Sequence, residues 1–473
     1  MGRTLTIEHV TRIEGHARIS IHLDEDGRVS SAQLHVTQLR GFEKFVEGRP
    51  YYEMPAITAR ICGICPVSHL LASAKACEAI MAVQPPPAAV KLRELLHCGQ
   101  IVQSHALSFF HLSSPDLLLG MDADPAARNV FGLLEQYPEL ARSGIALRKF
   151  GQQVIERVGG ERIHPPRIVP GGLGQPLAAE ARDAILEQLP VARATARHTL
   201  QFFKERIESF SEQIEAFDDT PTLFAALTDA AGNVQWYSGT VRFADAEGNL
   251  LAALEEPAAY PSLIGEAVLP HSYLKAPYYK PFGLAGGMYR VGPLARLNVA
   301  ERFGTPEADH ELEQFRRRFG RRPRSAFLYH YARLLEVFHA LERMQALLED
   351  PEILSPRVRA FAGVNALRGV GIIEAPRGLL IHDYEVDPSG TVQRVNLIVA
   401  TGHNNLAIGE GLCQVARRYV DGNRLSEGML NRVSALVRAY DPCLSCSTHA
   451  AGLPPLEIRL LDARGELVDC LRY

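Results

Sequence analysis

Long apolar runs are absent from this sequence. No stretch approaches the roughly 18 consecutive apolar residues that a membrane-spanning helix needs, and the N-terminus, MGRTLTIEHVTRIEGH, lacks the charged-then-apolar order of a secretory signal. These absences predict a cytoplasmic protein with no direct membrane insertion. The chain also has no excess of one charge, because 54 acidic residues are interspersed with 50 basic ones. No nucleic-acid partner is therefore expected.

Cysteine is scarce, and eight cysteines in 473 residues exclude a small disulfide scaffold. Four of them form two Cys-x-x-Cys pairs, Cys62 with Cys65 and Cys443 with Cys446. The other four stand alone, which is typical of small buried apolar residues: Cys77, Cys98, Cys413 and Cys470. There is no Gly-x-Gly-x-x-Gly nucleotide fingerprint and no iron–sulfur cysteine run, so neither a flavin nor an iron–sulfur cluster is expected in this chain.

Apolar residues are plentiful, at 47% of the chain, and many recur with helical spacing. Apolar positions three and four residues apart extend over 178–217 and 326–349, which are the longest predicted helices and should form a central bundle. Shorter helices are predicted at 66–82, 88–112 and 425–439.

Strand patterns occupy smaller regions. Alternation over 4–39 predicts a β-hairpin near the N-terminus, and strands return at 370–400 around a Pro-Ser-Gly turn. Residues 222–300, rich in Gly, Pro and Tyr, are predicted to form an inserted β-containing lobe. A last hairpin turns at 462–465.

The fold class predicted from these patterns is mainly α (α+β). It has a central long-helix bundle, an N-terminal β-hairpin and smaller peripheral β elements. No low-complexity linker or repeat separates the two cysteine pairs, so residues 1–449 are predicted to be one interlocked domain.

The spacing of the two cysteine pairs indicates a metal site but does not identify the metal. Two thiolates separated by two residues can reach one ion, whereas a redox dithiol is expected at the start of a βαβ unit, which neither pair provides. Structural zinc sites usually place about 15–20 residues between their pairs. Here 377 residues intervene. The spacing favours a catalytic or redox metal and leaves structural zinc open, since thiolates suit nickel, iron and zinc alike.

The flanking segments resemble the large subunits of nickel-iron hydrogenases. Five of them carry the likeness, in the family's order: VTRIEGH (10–16) with RGFEKF (40–45), RICGICPVSH (60–69), RIHPPRIVPGG (162–172), EAPRG (374–378) and DPCLSCSTH (441–449). The related quinone-reductase subunits of respiratory complex I lack the four cysteines. The resemblance implies the fold of the nickel-iron hydrogenase large subunit.

The resemblance implies a nickel ion bound by four thiolates, two of which bridge to an iron carrying carbon monoxide and cyanide. By motif position, Cys62 and Cys443 would be the terminal ligands of nickel, while Cys65 and Cys446 would bridge. Such a centre can polarise dihydrogen while a nearby base takes the proton. Cys443 is the candidate first base.

Five more residues acquire catalytic roles by the same carry-over. Glu14 would relay the proton outward, and Arg377 would stand over the open metal position, held by Asp116 and Asp441. His69 would hydrogen-bond a bridging sulfur. Outside the family these would be an exposed carboxylate, a turn arginine, ordinary turn and helix-start aspartates, and a core histidine.

The resemblance also implies a second, hard cation, usually magnesium. Glu43 and His449 would be ligands, with the backbone carbonyl of Leu397 as a third. A histidine nitrogen is less usual for magnesium, so iron is the alternative.

In the family, a maturation endopeptidase cleaves after the histidine of the last motif. Residues 450–473 would then be a C-terminal pro-segment, and nickel-insertion factors would be further partners. A retained pro-segment is expected to hold Cys443 and Cys446 away from the nickel site, leaving the two pairs apart.

The implied activity is the reversible interconversion of dihydrogen with protons and electrons. Electrons must leave through an iron–sulfur small subunit, because this chain offers no carrier. Segments 10–29 and 39–55 are most similar to the cytoplasmic NAD-linked bidirectional enzymes, which pass electrons to a flavin-containing diaphorase. The alternatives are a hydrogen sensor or scaffold with the same site, a membrane-linked uptake enzyme and a zinc-stapled protein.

Overall fold

The computed structural model describes residues 3–472 apart from 9, 37–40, 218–219, 423, 425, 447–456 and 462–466. For residue 445 and for the strands at 457–461 and 467–472 it gives the backbone alone. The α-helices follow in chain order: α1 Phe42–Phe45, α2 Met54–Thr58, α3 Pro66–Met81, α4 Pro87–Ala106, α5 Ser114–Leu119, α6 Val130–Gln136, α7 Pro138–Gly159, α8 Ala179–Arg206, α9 Ser211–Ala216, α10 Gly283–Gly286, α11 Pro293–Val299, α12 Pro306–Phe319, α13 Tyr329–Glu349, α14 Ala400–His403, α15 Asn405–Tyr419 and α16 Glu427–Tyr440.

The strands are shorter than the main helices: β1 Thr4–Glu8, β2 Arg18–Leu23, β3 Val29–His35, β4 Ile168–Val169, β5 Gly172–Leu173, β6 Leu223–Thr228, β7 Thr240–Ala244, β8 Leu250–Leu254, β9 Ile264–Ala267, β10 Ala276–Tyr279, β11 Tyr289–Arg290, β12 Arg368–Ala375, β13 Gly378–Val386, β14 Val392–Ile398, β15 Glu457–Leu461 and β16 Leu467–Arg472. Among the described helices none is long and apolar enough to cross a membrane.

A four-helix bundle lies at the centre, as the sequence predicts. α4 packs on α7, α7 on α8, α8 on α13, and α13 back on α4. Two glycines allow the closest of these approaches, because a Cβ at Gly151 would lie 2.7 Å from the carbonyl oxygen of Gly99. α7 is absent from the helices predicted above.

Two predicted helices end differently. The helix predicted over 178–217 stops at Arg206 and continues through a 3₁₀ turn at Ile207–Phe210 into α9. The helix predicted over 88–112 becomes a wider π-helical turn at Leu107–Ser113. Ser114 closes that turn by donating its hydroxyl to the carbonyl of Phe109 at 2.7 Å.

The N-terminal sheet has the order β16-β15-β1-β2-β3, with every neighbouring pair antiparallel. The predicted N-terminal hairpin is therefore β2–β3, and the C-terminal hairpin adds to the opposite side of β1. The other sheets are β11-β6-β7-β8, β12-β13-β14, β9-β10 and β4-β5.

The strand β12 lies directly on helix α3, and glycines make this contact possible. A Cβ at Gly369 would lie 2.0 Å from the carbonyl oxygen of Ala76, and one at Gly371 would lie 2.0 Å from that of Ala72. The β12–β13 turn, which contains EAPRG, is thereby fixed beside the N-terminal end of α3. That end follows the first cysteine pair.

A buried ionic cluster joins α11, α13 and β12. Arg296 donates to Glu336 from Nε and Nη2, at 2.5 and 2.7 Å, and to Glu374 from Nη1 at 2.6 Å. All three side chains are fully buried. Burial raises the pKa of Glu374 to about 7, since a single guanidinium is shared between two carboxylates.

We expect Glu374→Gln to stabilise the chain at high pH only. The pKa of Glu374 in the folded chain lies above its ordinary 4.5, so its stabilising contribution is complete below pH 4.5 and lost as the pH rises through about 7. Glutamine imitates the protonated acid. Urea unfolding of the metal-free chain should show the variant more stable by about 3 kcal/mol at pH 8 and equal to the parent near pH 4.5. Equal differences at both pH values would contradict this assignment.

Candidate metal centre

The first cysteine pair lies at the N-terminal end of α3. Cys62 follows a 3₁₀ turn at Ala59–Ile61, and Cys65 immediately precedes the first helical residue. The backbone N–H groups of Ile64 and Cys65 donate to the sulfur of Cys62, at 3.3 and 3.2 Å. These donors, together with the positive end of the helix dipole, favour a thiolate at this position.

The second pair follows the C-terminal end of α16. Asp441 ends the helix in the left-handed conformation, with φ 54°. The next turn is anchored to two other elements: Cys443 donates its N–H to Thr401 Oγ1 at 2.9 Å, and Leu444 donates its N–H to the carbonyl of Glu14 at 3.0 Å. A 3₁₀ turn then carries the chain to Cys446.

All four sulfur atoms meet in one buried cluster, within 4.8 Å of one another. Cys443 Sγ lies 3.1 Å from that of Cys62 and 3.9 Å from that of Cys65, while Cys446 Sγ lies 3.8 Å from that of Cys65. Four thiolates at about 2.3 Å around one ion would be about 3.7 Å apart, so the donors fit a tetrathiolate metal centre. The expectation that the two pairs stand apart in the uncleaved chain is wrong.

The four thiols share protons within this cluster. Hydrogen bonds from Cys443, Cys446 and Cys65 hold the pKa of Cys62 well below the ordinary value. The pKa of Cys443 is raised well above that value, because it bonds Cys446, Cys62 and Cys65 while fully buried. One thiolate therefore forms readily without a metal, whereas further ionisation requires a cation among the sulfurs.

Arg377 is held beside the cysteines by three hydrogen bonds. Nε donates to the carbonyl of Asp441 at 2.7 Å, Nη2 to Asp441 Oδ1 at 3.0 Å, and Nη1 to Ser104 Oγ at 3.1 Å. A cavity of about 10 Å³ lies between the guanidinium and the sulfurs of Cys65, Cys443 and Cys446. This space suits a molecule of about the size of one water.

Asp116 does not hold Arg377, which corrects the carry-over from the family motif. Its carboxylate instead accepts from Arg438 Nε at 2.8 Å, from Asn431 Nδ2 at 3.0 Å and from Arg12. These partners reach the start of α5 before any contact with Arg377 is possible. Ser104, for which the sequence predicts no role, occupies the second position on the guanidinium.

A buried hydrogen-bonded chain leads away from the sulfur of Cys446. His69 Nε2 lies 3.5 Å from that sulfur, and His69 Nδ1 lies 3.1 Å from His382 Nε2. His382 Nδ1 lies 2.6 Å from the hydroxyl of Tyr384, which donates to Ser73 Oγ at 2.8 Å. A neutral imidazole has one donor and one acceptor nitrogen, so the chain fixes the tautomer of both rings.

We expect Tyr384→Phe to slow turnover about tenfold while metal content is retained. The substitution leaves His382 Nδ1 without its hydroxyl partner, so His69 is held less firmly against the sulfur of Cys446. Turnover per bound nickel is the measurement. Tyr331→Phe, in the helix bundle, is the matched control. Equal turnover in both variants would show that the hydroxyl of Tyr384 does not position His69.

The remaining predicted residues are placed only partly. The backbone of Glu14 pairs with Cys443, and its side chain is half-buried. Glu43 Oε1 accepts the backbone N–H of Leu397 at 3.1 Å and lies 3.5 Å from Lys275 Nζ. His449 lies outside the described residues.

Comparison with known proteins identifies the family. A family profile described as nickel-dependent hydrogenase matches residues 40–140 and 232–449, and one described as HoxL-like matches residues 4–39. The NAD-reducing hydrogenase HoxS subunit beta of Cupriavidus necator is 40% identical, with 99% of each chain covered. An F420-non-reducing hydrogenase of Methanocaldococcus jannaschii, of the vhu type, is 43% identical over 88% of this chain and 99% of its own.

A crystal structure of an NAD⁺-reducing [NiFe]-hydrogenase in the H2-reduced state matches with a TM-score of 0.92 and 44% identity. It covers 94% of this chain and 99% of that chain. The predicted fold class is thereby confirmed. The chain belongs to the nickel-dependent hydrogenases, as a large subunit that gathers four cysteines for the metal centre.

Proposed function

We propose that this large subunit cleaves and forms dihydrogen reversibly at a nickel–iron centre, and that the electrons pass through an iron–sulfur small subunit to NAD. The observation that carries the proposal is the cluster of four buried thiols beneath Arg377. When bound, the centre, with carbon monoxide and cyanide on its iron, supplies the two-electron chemistry. Cys62 and Cys443 would hold nickel alone, while Cys65 and Cys446 would bridge to iron.

Arg377 would orient and polarise dihydrogen in the small cavity. Its guanidinium is always charged, and its hydrogen bonds to Asp441 and Ser104 fix its plane before substrate arrives. The only carboxylate within bonding distance of it in the described chain is Asp441. Part of its positive charge is therefore left to act on the cavity.

Cys443 would take the first proton, and Glu14 would carry it outward. The backbone pairing of Glu14 with Cys443 and the bond from the Leu444 N–H to the Glu14 carbonyl support this route. Both contacts keep the carboxylate-bearing segment next to the thiol as the site works. Proton transfer by a positioned carboxylate is a common general acid–base device.

A second, hard cation is proposed at Glu43, with the carbonyl of Leu397 and with His449 as its other ligands. The carboxylate of Glu43 suits magnesium, whereas a histidine nitrogen suits iron better. Glu43 and Leu397 are in contact, although through the N–H of Leu397. Lys275 would then compensate the charge of Glu43 whenever the cation is absent.

The proposed assembly is a hetero-oligomer in the cytoplasm, where NAD is available. It contains a flavin-containing diaphorase together with the small subunit. The names of the relatives support NAD as acceptor, since one of them is called NAD-reducing. The relative named F420-non-reducing keeps another acceptor as the alternative. An endopeptidase would hydrolyse the peptide bond after His449 once nickel-insertion factors have loaded the centre.

The decisive experiment is hydrogen-dependent reduction of NAD by the complex co-purified with this chain. The proposal predicts NADH formation under hydrogen, together with exchange of deuterium gas with solvent protons. Exchange without NADH formation would retain the hydrogenase and refute the NAD linkage. Very low turnover in both assays would favour a hydrogen sensor.

A further inference from the structure

We propose that the outer edge of β1 is a docking surface for the chain's own strand β15, and that this docking holds Cys446 at the other three thiols before metal is bound. The inference rests on the proposed function, in which these thiols receive the metals. It deepens that function by assigning a role to the C-terminal segment, and the role is opposite to the one expected from the sequence.

The docking is a ladder of backbone pairs. β15 runs antiparallel to β1 in continuous register, from Thr4 opposite Leu461 to Glu8 opposite Glu457. The other side of β1 is taken by β2, and β15 is covered in turn by β16. Without the hairpin, β1 would be an edge strand with a row of unsatisfied N–H and C=O groups. Such an edge binds an extended segment through its main chain.

The same N-terminal segment also reaches the thiol cluster. Glu14 pairs with Cys443, and the N–H of Leu444 donates to the carbonyl of Glu14 at 3.0 Å. The chain from Leu444 to Glu457 is therefore bound at both ends to residues 4–14. Cys446 lies within this closed loop.

Cys446 depends on the loop more than Cys443 does. The backbone of Cys443 is anchored to Thr401. The contacts that the structure gives Cys446 are made by its sulfur, with Cys443 at 3.2 Å, Cys65 at 3.8 Å and His69 at 3.5 Å. Those contacts between neutral groups are weak.

The tether between Cys446 and the docked strand is short. Ten residues, 447–456, separate them. A flexible linker of this length has a root-mean-square extension of about 5–6 Å times the square root of its length, or about 18 Å. Fixing its far end on β1 therefore raises the effective concentration of the Cys446 thiol at the cluster. Cleavage after His449 would remove this tether once the metals themselves hold the sulfur.

The test uses the metal-free, full-length chain with cobalt(II) alone as probe, under reducing and anaerobic conditions. The double variant Arg459→Pro/Leu460→Pro removes two successive N–H groups of β15, of which one points to β1. Hydrogen exchange of residues 3–8 should become faster. Cobalt affinity should fall about tenfold, with weaker thiolate-to-cobalt charge-transfer absorbance because fewer thiolates are bound.

The matched control is Val468→Pro/Asp469→Pro in β16, which pairs with β15 and not with β1. It should keep slow exchange at residues 3–8 and the parent's cobalt affinity. Unchanged exchange in the core strands β12 and β13 shows that each variant is folded. The proposal is overturned if opening of the β1–β15 ladder leaves cobalt affinity and absorbance unchanged, or if exchange at residues 3–8 does not respond.

Failure of this inference is distinguishable from failure of the proposed function. If the parent chain binds no cobalt through its cysteines, the thiol cluster itself is not a metal site. If the parent binds cobalt through four thiolates and the β15 variant does so equally, the docking alone is refuted.

Discussion

Replacement of Cys62 by alanine should give a folded chain without nickel and without hydrogen turnover. Cys62 is the thiol that ionises first, since its pKa is lowered by hydrogen bonds from Cys443, Cys446 and Cys65. Its loss removes the initial anionic ligand and leaves three thiols whose pKa values are raised. Binding of metal by thiols requires their deprotonation, so affinity falls steeply. Nickel per chain, measured by elemental analysis, should drop to background.

Cys98→Ala is the matched control, because Cys98 is also a buried cysteine but lies in the helix bundle. It should cost about 1 kcal/mol of stability and keep full nickel content. Burial raises the pKa of Cys98 far above the usual range, so this thiol is not a competing ligand. Full nickel loading of the Cys62 variant would remove this residue from the centre.

Replacement of Arg377 by lysine should lower turnover about hundredfold while nickel and iron are retained. A lysine ammonium keeps the charge but cannot reproduce the planar contacts to Asp441 and Ser104, so the charge over the cavity is no longer fixed. The comparison is kcat per bound nickel in the variant and the parent, measured with the same electron acceptor.

Arg290→Lys supplies the control for a change in a buried guanidinium. Arg290 is fully buried and donates to the carbonyls of Thr220 and Arg324, with no contact to the four cysteines. It should reduce the melting temperature without changing kcat per nickel. Equal losses of kcat in the two variants would mean that Arg377 acts only through stability.

The helices show how far apolar spacing alone leads. The bundle follows from the spacing in α4, α8 and α13, whereas α7 was not predicted. Glycine lowers helix propensity by about 1 kcal/mol per residue, and α7 contains glycines that its packing requires. A Cβ at Gly144 would lie 2.3 Å from the ring of Phe110. Tertiary packing therefore decides where propensity argues against a helix.

The motifs identified the four cysteines and the arginine, but not their neighbours. Asp116 matched a family position, yet its partners Arg12 and Arg438 come from opposite ends of the chain. Contacts of that separation cannot be read from one sequence. Ser104 has no motif of its own, and only the packing of α4 beside the β12–β13 turn reveals its bond to Arg377.

The chain of groups behind Cys446 carried a usable signal that was overlooked. His69 and Ser73 are four residues apart on α3 and share one face of the helix. His382 and Tyr384 are two residues apart on β13 and share one face of the strand. A polar pair of helical period facing a polar pair of strand period, both in apolar surroundings, predicts a buried hydrogen-bonded network.

Metal analysis of the processed chain in its co-purified complex tests the central claim most directly. The account predicts nickel and iron together, each in proportion to the chain, and loss of both when Cys62 or Cys446 is replaced. Zinc without nickel in fully loaded protein would contradict it. The four thiols would then be a structural zinc site, and Arg377 would have no substrate to orient.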